Sequence, residues 1–302
     1  MYIMFIEKRK LGKAIKYYLV HSYRVGDKVK KISRYLGYNL DDKALQKLRI
    51  GAEKIILEQI KARSPFEFEL SKEQIAQFKE YDKKMDIVHL QKVDWDRFTK
   101  EFTYNTNAIE GSTVALKEVE ALVDRIEKPQ SYDELETINV AKAIDHVKAT
   151  KDKLSLNLIL KLHRMCFDGT KIFAGKIRDV DVVVMDNQRN VIHRGAPFSE
   201  VETLLDELVN WYEKHKNKYP PLLLAALVHN EFENIHPFQD GNGRVGRLLL
   251  NYVLLKHDYP PINIKLKDRQ KYYRVLQDYQ KRGEINFTLK FLISQVTTKN
   301  KL

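Results

Sequence analysis

Cysteine is nearly missing from this chain: Cys166 is the only one in 302 residues. That excludes an internal disulfide framework and suits a reducing compartment. No apolar run approaches the roughly 18 residues that a membrane-spanning helix needs. The opening MYIMFIEKRKLGK becomes charged too early for a secretory h-region. The expectation is a cytoplasmic chain with no membrane partner. Repeats and low-complexity tracts are absent, as is a Walker A stretch, so a nucleotide phosphate would need another kind of loop. His229, Glu233 and His236 are spaced HxxxExxH rather than HExxH, and His163 with Cys166 lacks a second ligand pair. His163 and His229 therefore read as helix residues rather than zinc ligands.

What is present is ordinary globular material, 43% hydrophobic and 31% charged, with a formal net charge of +12. The charge is uneven: residues 1–60 hold 14 Lys/Arg against 6 Asp/Glu. A basic segment steers polyanions toward itself, yet no nucleic-acid motif accompanies it, so nucleic acid is not an expected partner. Residues 16–38 read as two β-rich stretches around Val25-Gly26-Asp27, a hairpin signal. Helical spacing follows over 41–61, and Arg63-Ser64-Pro65 breaks it. The expected organisation is a basic N-terminal segment over 1–62, a helical region over 63–132 and a main body over 133–302.

From 70 to 170 the apolar spacing is helical, with Phe98, Phe102 and Ile109, then Val119, Leu122, Val123 and Ile126. The β-branched run VDVVVM, a polar turn over 186–190 and the following VI predict a second hairpin. Helices are predicted over 200–215, 221–235, 243–256, 269–281 and 287–296. The fold class is mainly α, with one hairpin set into the helical body.

The stretch that carries chemistry is HPFQDGNGRVGR, residues 236–247. Gly241 and Gly243 around Asn242 let successive backbone N–H groups converge as an anion nest. The next helix aims its N-terminus at the same point. Arg244 and Arg247 add fixed positive charge. Asp240 offers the hard oxygen that Mg²⁺ prefers, and His236 is a base suited to neutral pH.

This string resembles the Fic motif HPFx[DE]GNGRxxR at every specified position, and the likeness runs over roughly residues 95–296. The resemblance implies a Fic helical bundle in which the hairpin is a flap. It also implies transfer of AMP from ATP onto a Ser, Thr or Tyr hydroxyl of a target protein. His236 would take the hydroxyl proton, and Asp240 would hold Mg²⁺. Asn242 and the backbone of Gly241, Asn242, Gly243 and Arg244 would grip the α- and β-phosphates, Val245 and Gly246 would continue the phosphate-binding turn, and Arg247 would hold the γ-phosphate. Tyr272, Tyr273 and Gln280 fall where the family lines its adenine pocket, Gln280 replacing a family Asn. The flap residues Val182, Val183, Val184, Met185, Ile192 and His193 would clamp the target peptide by strand addition. Gly243 favours AMP transfer over the kinase chemistry of Doc-type relatives, which carry Lys there.

Residues 106–111, TNAIEG, match the family's inhibitory pattern [ST]xxxE[GN] through Thr106, Glu110 and Gly111. The resemblance makes Glu110 a partner of Arg247 that denies the γ-phosphate its arginine. In some relatives the same Glu positions water to remove AMP, which leaves a bifunctional enzyme open. Self-modification and a homodimer are compatible with this reading. The rival is a catalytically silent Fic-fold module that binds nucleic acid or a protein through its basic N-terminus. Where the family often has Thr as the cap of the next helix, this chain has Ala115, so that cap is expected to be weak.

Overall fold

The computed structural model describes residues 4–12, 14–25, 28–61, 70–83, 92–185 and 191–296. The chain divides into two units, the first ending at Glu67.

In the first unit β1 (Met4–Leu11), β2 (Ala14–Val25) and β3 (Lys28–Tyr38) form an antiparallel sheet in that order, followed by α1 (Asp42–Lys61). Ile6 lies opposite Leu19, and His21 opposite Ile32. This alternation places Leu19 and Ile32 on the face where Ala52 and Ile56 of α1 pack, with Met4, Ile6 and Leu36 around them. The expected hairpin is thus extended by one strand, β1. The predicted Gly26-Asp27 turn lies outside the described residues.

The second unit is helical. It comprises α2 (Lys72–Asp82), α3 (Trp95–Ile109), α4 (Leu116–Val123), α5 (Tyr132–Ala149) and α6 (Leu156–Phe167). The hairpin β4 (Val183–Met185) and β5 (Val191–Arg194) follows, then α7 (Val201–His215), α8 (Pro221–Ile235), α9 (Asn242–Lys256), α10 (Arg269–Arg282) and α11 (Asn286–Val296). Helix α8, PLLLAALVHNEFENI, is apolar nearly all round and is accordingly central. It packs on α9 and is covered by α2, α7, α10 and α11, while α3, α5 and α6 cover α9. Leu222, Leu224, Phe232, Leu248, Leu249 and Leu250 are fully buried there, and each contributes about 1.5–3 kcal/mol of transfer free energy. These two helices are therefore the rigid frame on which the loop between them sits.

Helices α3, α5 and α6 start at side-chain caps. Asp94, Ser131 and Ser155 accept from the amides of Arg97, Glu134 and Leu158. At α4 the capping residue Ala115 has no hydroxyl, and the end is held from inside, by Glu118 accepting from the Ala115 amide at 2.7 Å. Among the described residues no helix is long and apolar enough to cross a membrane.

Candidate active site

Helix α8 stops at His236, whose φ of 52° and ψ of 63° are left-handed while its amide still donates to the Phe232 carbonyl at 3.0 Å. Pro237 follows and cannot extend the helix. The loop then closes on itself through Asn242. Its Oδ1 accepts from the Phe238 amide at 2.9 Å and its Nδ2 donates to the Phe238 carbonyl at 2.8 Å. The Asn242 side chain is thus a loop staple. Gly241 has a φ of 81° and is the cap residue of α9, with no side chain to occupy the first amides.

A second staple comes from α6. The Gly175 amide donates to His163 Nδ1 at 2.8 Å, so the ring proton sits on Nε2, which donates to the Asp240 carbonyl at 3.2 Å. The same ring stacks on Phe238, centroids 3.7 Å apart. Burial pulls the His163 pKa down to about 4, which keeps the ring neutral for this double role. His163 is more than the ordinary helix residue its sequence context suggests: it buttresses the motif loop.

The His236 ring lies beside β5, edge-on to His193 with centroids 5.4 Å apart. Its Nδ1 is 3.4 Å from the Glu233 carbonyl. With the proton on Nδ1, the other nitrogen carries the basic lone pair. Burial, reinforced by the nearby Arg178 cation, lowers its pKa to about 4, so the ring is uncharged at neutral pH. His193 in turn meets the Gln280 amide of α10. Gln280 therefore touches the flap. In the hairpin Val183 pairs with Arg194 and Val184 with His193. Val183, Met185 and Val191 are exposed, and Val182 and Ile192 half-buried. The predicted turn at 186–190 lies outside the described residues.

The two motif arginines part company. Arg244 Nη1 bonds Glu136 of α5 at 2.5 Å, and its guanidinium lies 4.2 Å from the Phe167 ring centroid. Its charge is balanced inside the fold. Arg247 is 2% exposed at its side chain and bonds Glu110 through Nη2 at 2.7 Å. Its Nε donates to the Thr106 hydroxyl at 2.7 Å, Nη2 also to the Thr106 carbonyl at 3.0 Å, and Nη1 to Tyr272 at 3.4 Å. Burial alone would lower the Arg247 pKa, but Glu110 and its other neighbours raise it. The contact to Glu110 uses one carboxylate oxygen, Oε1, which lies 2.2 Å from where a Cβ on Gly243 would be. Only glycine leaves that space.

Val245 is core. A Cβ on Gly246 would run into Glu233 and lie 3.1 Å from His229 Nδ1. Tyr272 is 2% exposed, with its hydroxyl 2.9 Å from His229 Nε2, and Tyr273 donates to the Ile109 carbonyl at 3.0 Å. The first tyrosine packs in the core and the second ties down the end of α3. Asp240 remains at the lip, 49% exposed at its side chain, with Oδ1 accepting from the Gly241 amide at 2.6 Å. Among the described residues no three His, Cys, Asp or Glu converge as a metal cage. A lone exposed carboxylate beside a helix N-terminus fits Mg²⁺, which keeps waters and takes most remaining ligands from phosphates.

Residues 153–254 match the profile of the Fic/DOC family. This segment belongs to the Fic/DOC family. Over a longer stretch the chain is 29% identical to "Protein adenylyltransferase Fic" of Nematostella vectensis, across 63% of this chain and 45% of that protein. It is also 29% identical to "Protein adenylyltransferase fic-1" of Caenorhabditis elegans, across 58% of this chain and 35% of that one. The chain thus spans less than half the length of these curated relatives. A crystal structure of a Fic-domain-containing signaling protein from Bacteroides thetaiotaomicron superposes with a TM-score of 0.61 at 26% identity, covering 74% of this chain and 92% of that one. C. elegans Fic-1 shares the fold, with a TM-score of 0.61 at 22% identity over 85% of this chain and 75% of that one. Arg178, His163, Glu136 and Glu233 all bear on the Fic motif and none was singled out for a part in the site from sequence. His163 and Glu233 carried only the metal-ligand spacings set aside above, and Arg178 and Glu136 carried no signal.

Proposed function

We propose that the chain is a protein adenylyltransferase that moves AMP from ATP onto a hydroxyl of a target protein and is held back by Glu110. The observation that carries the reading is one turn presenting an uncharged His236 beside the uncapped N-terminus of α9. The kinship of the Fic segment to proteins named adenylyltransferases supports it.

In this reading the target hydroxyl oxygen attacks the α-phosphorus, the bond to the bridging oxygen breaks, and pyrophosphate leaves. The hydroxyl proton passes to the free nitrogen of His236. The amides at the start of α9 bind the phosphates, and positioning plus charge stabilisation does most of the catalytic work. Asp240 would hold Mg²⁺, which neutralises phosphate charge when bound. Val183, Met185 and Val191 of the flap accept the target backbone by strand addition. Arg247 takes the γ-phosphate once Glu110 lets go. A neutral imidazole with a free nitrogen favours this enzyme over a silent binding module.

Intact-mass measurement tests it. Wild type, Glu110→Gly and His236→Ala are incubated with ATP and Mg²⁺, alone and with a cell lysate. The expected pattern is faint AMP addition by wild type, strong addition by Glu110→Gly and none by His236→Ala. Equal labelling by His236→Ala would refute the assigned base, and silence of all three on every substrate would refute the transferase.

A further inference from the structure

We propose that Arg178 is a positioning residue for the transfer reaction, fixing the turn that presents His236 and fastening the root of the flap to it. Its side chain is 0% exposed. Nε donates to the His236 carbonyl at 2.7 Å and Nη1 to the Val180 carbonyl at 2.7 Å. Nη2 donates to the carbonyls of Ala196 and, at 3.3 Å, Ile235. Two of these acceptors belong to the His236 turn. The other two flank the hairpin, one before β4 and one after β5. Backbone bonds follow the same seam: the Arg178 amide to the Pro237 carbonyl at 3.0 Å and the Ala196 amide to the Ile235 carbonyl at 3.1 Å.

The choice of side chain follows from this geometry. A planar guanidinium has five donors in a fixed fork and can serve four carbonyls pointing in from three stretches of chain. An ammonium has three donors on a flexible stem. Burying a cation is costly when its partners are mostly neutral carbonyls. The Asp181 carboxylate is 4.0 Å from Nη1 and partly exposed. A greasy residue would hold a mere scaffold more cheaply; what arginine adds is a defined turn. That turn needs a clamp, because His236 adopts a left-handed φ of 52°, disfavoured for a residue with a Cβ. Clearance is tight as well. A Cβ on Gly195 would come within 2.8 Å of Arg178 Nη2 and 3.2 Å of His236 Cβ.

Arg178 also acts on the ring through charge. His236 is faced by Arg178 from the flap root, by His193 from β5 and by Glu233 from α8. His193 is held neutral by burial and Glu233 offers its carbonyl, so Arg178 is the facing cation. Removing that cation should make His236 easier to protonate.

The inference rests on His236 being the base, and the test separates the two. Arg178→Gln, Arg178→Lys, Gly195→Ala and His236→Ala are each made in the Glu110→Gly protein. Steady-state rates are measured against pH, and the His236 ring is titrated by NMR. For Arg178→Gln, kcat should fall about hundredfold, the scale of a misplaced catalytic group, with KM for ATP nearly unchanged. The acid limb and the NMR midpoint should both move to higher pH. Arg178→Lys keeps the charge and should leave the limb in place while recovering part of kcat. Gly195→Ala should lower kcat with Arg178 intact, and it decides the matter if Arg178→Gln does not fold. An unchanged kcat in Arg178→Gln overturns the proposal, as does a loss with neither limb nor midpoint moved. Undiminished transfer by His236→Ala overturns the base assignment instead, and the proposal with it.

Discussion

Replacing Glu110 by glutamine keeps the shape of the side chain and an oxygen that can still accept from Arg247, and removes one charge. Arg247 keeps its charge, so the glutamine oxygen still accepts a charge-assisted bond, and what is lost is the Coulomb attraction of the pair, about 1 kcal/mol at an exposed site and about 4 at a partly buried one. The Glu110 side chain is 29% exposed, so the lower end applies and the loss is about 1 kcal/mol. If Arg247 must leave Glu110 before it can meet a γ-phosphate, the free population rises by the same factor, about fivefold. Glu110→Gly removes the contact entirely, about 1.5–2 kcal/mol, for a gain of roughly ten- to thirtyfold. Stability should move the other way, because Arg247 is 2% exposed and loses its carboxylate. A Tm lowered by about 2–6 °C is expected for Glu110→Gly. Initial rates of AMP incorporation, read beside thermal melts, check both. Glu110→Gln turning over at the wild-type rate while Glu110→Gly is fast would show that charge is not what restrains Arg247. Both variants at the wild-type rate would end the inhibitory reading.

Gly243→Ala should cost the wild type about 1–3 kcal/mol through overpacking against Glu110 and cost the Glu110→Gly protein less, where only Arg247 Nη1, 3.0 Å from the added Cβ, must give way; paired urea titrations would reveal the difference. Glu231 and Glu233 keep their protons in the fold up to about pH 8, chiefly through burial, against an ordinary value of 4.5. Between those limits these two glutamates bind more protons in the folded chain than in the unfolded one, so their contribution to stability should fall as pH rises from about 5 to about 8; the buried His163, His193, His229 and His236 pull the other way below about 6.5, so the net fall is expected above that pH. Glu231→Gln, which stays neutral and can still accept from Tyr279, should flatten part of that slope in urea midpoints taken across the range. Ala115→Ser would supply the missing cap of α4 and should add about 1 kcal/mol, seen as a Tm raised by about 2–4 °C.

Much of this architecture was legible because helices advertise themselves. The spacing of Phe98, Phe102 and Ile109 gives α3, and α8 and α9 follow from unbroken apolar runs on either side of a glycine-rich turn. The first strand was hidden. In MFIEKRKL the inward residues Met4 and Ile6 are followed by charges on both faces, so the alternation fades after one turn of the pleat. The partners of buried polar groups were hidden for a different reason. Arg244 and Glu136 are 108 positions apart, and no local pattern marks such a pair. Arg178 is harder still, since its acceptors are backbone carbonyls that every residue possesses. Asn242 was legible as a motif residue, but its side chain turned out to staple the loop to Phe238.

Arg247 touches α3 at Thr106 and Glu110, and Tyr273 touches the end of the same helix at Ile109. None of these contacts involves His236 or Asp240. On the proposed function, resting activity could therefore drift by a single substitution, a hydroxyl lost at 106, while His236 and Asp240 stay untouched. If Glu110 restrains Arg247 as proposed, natural selection has a dial here that is separate from the engine.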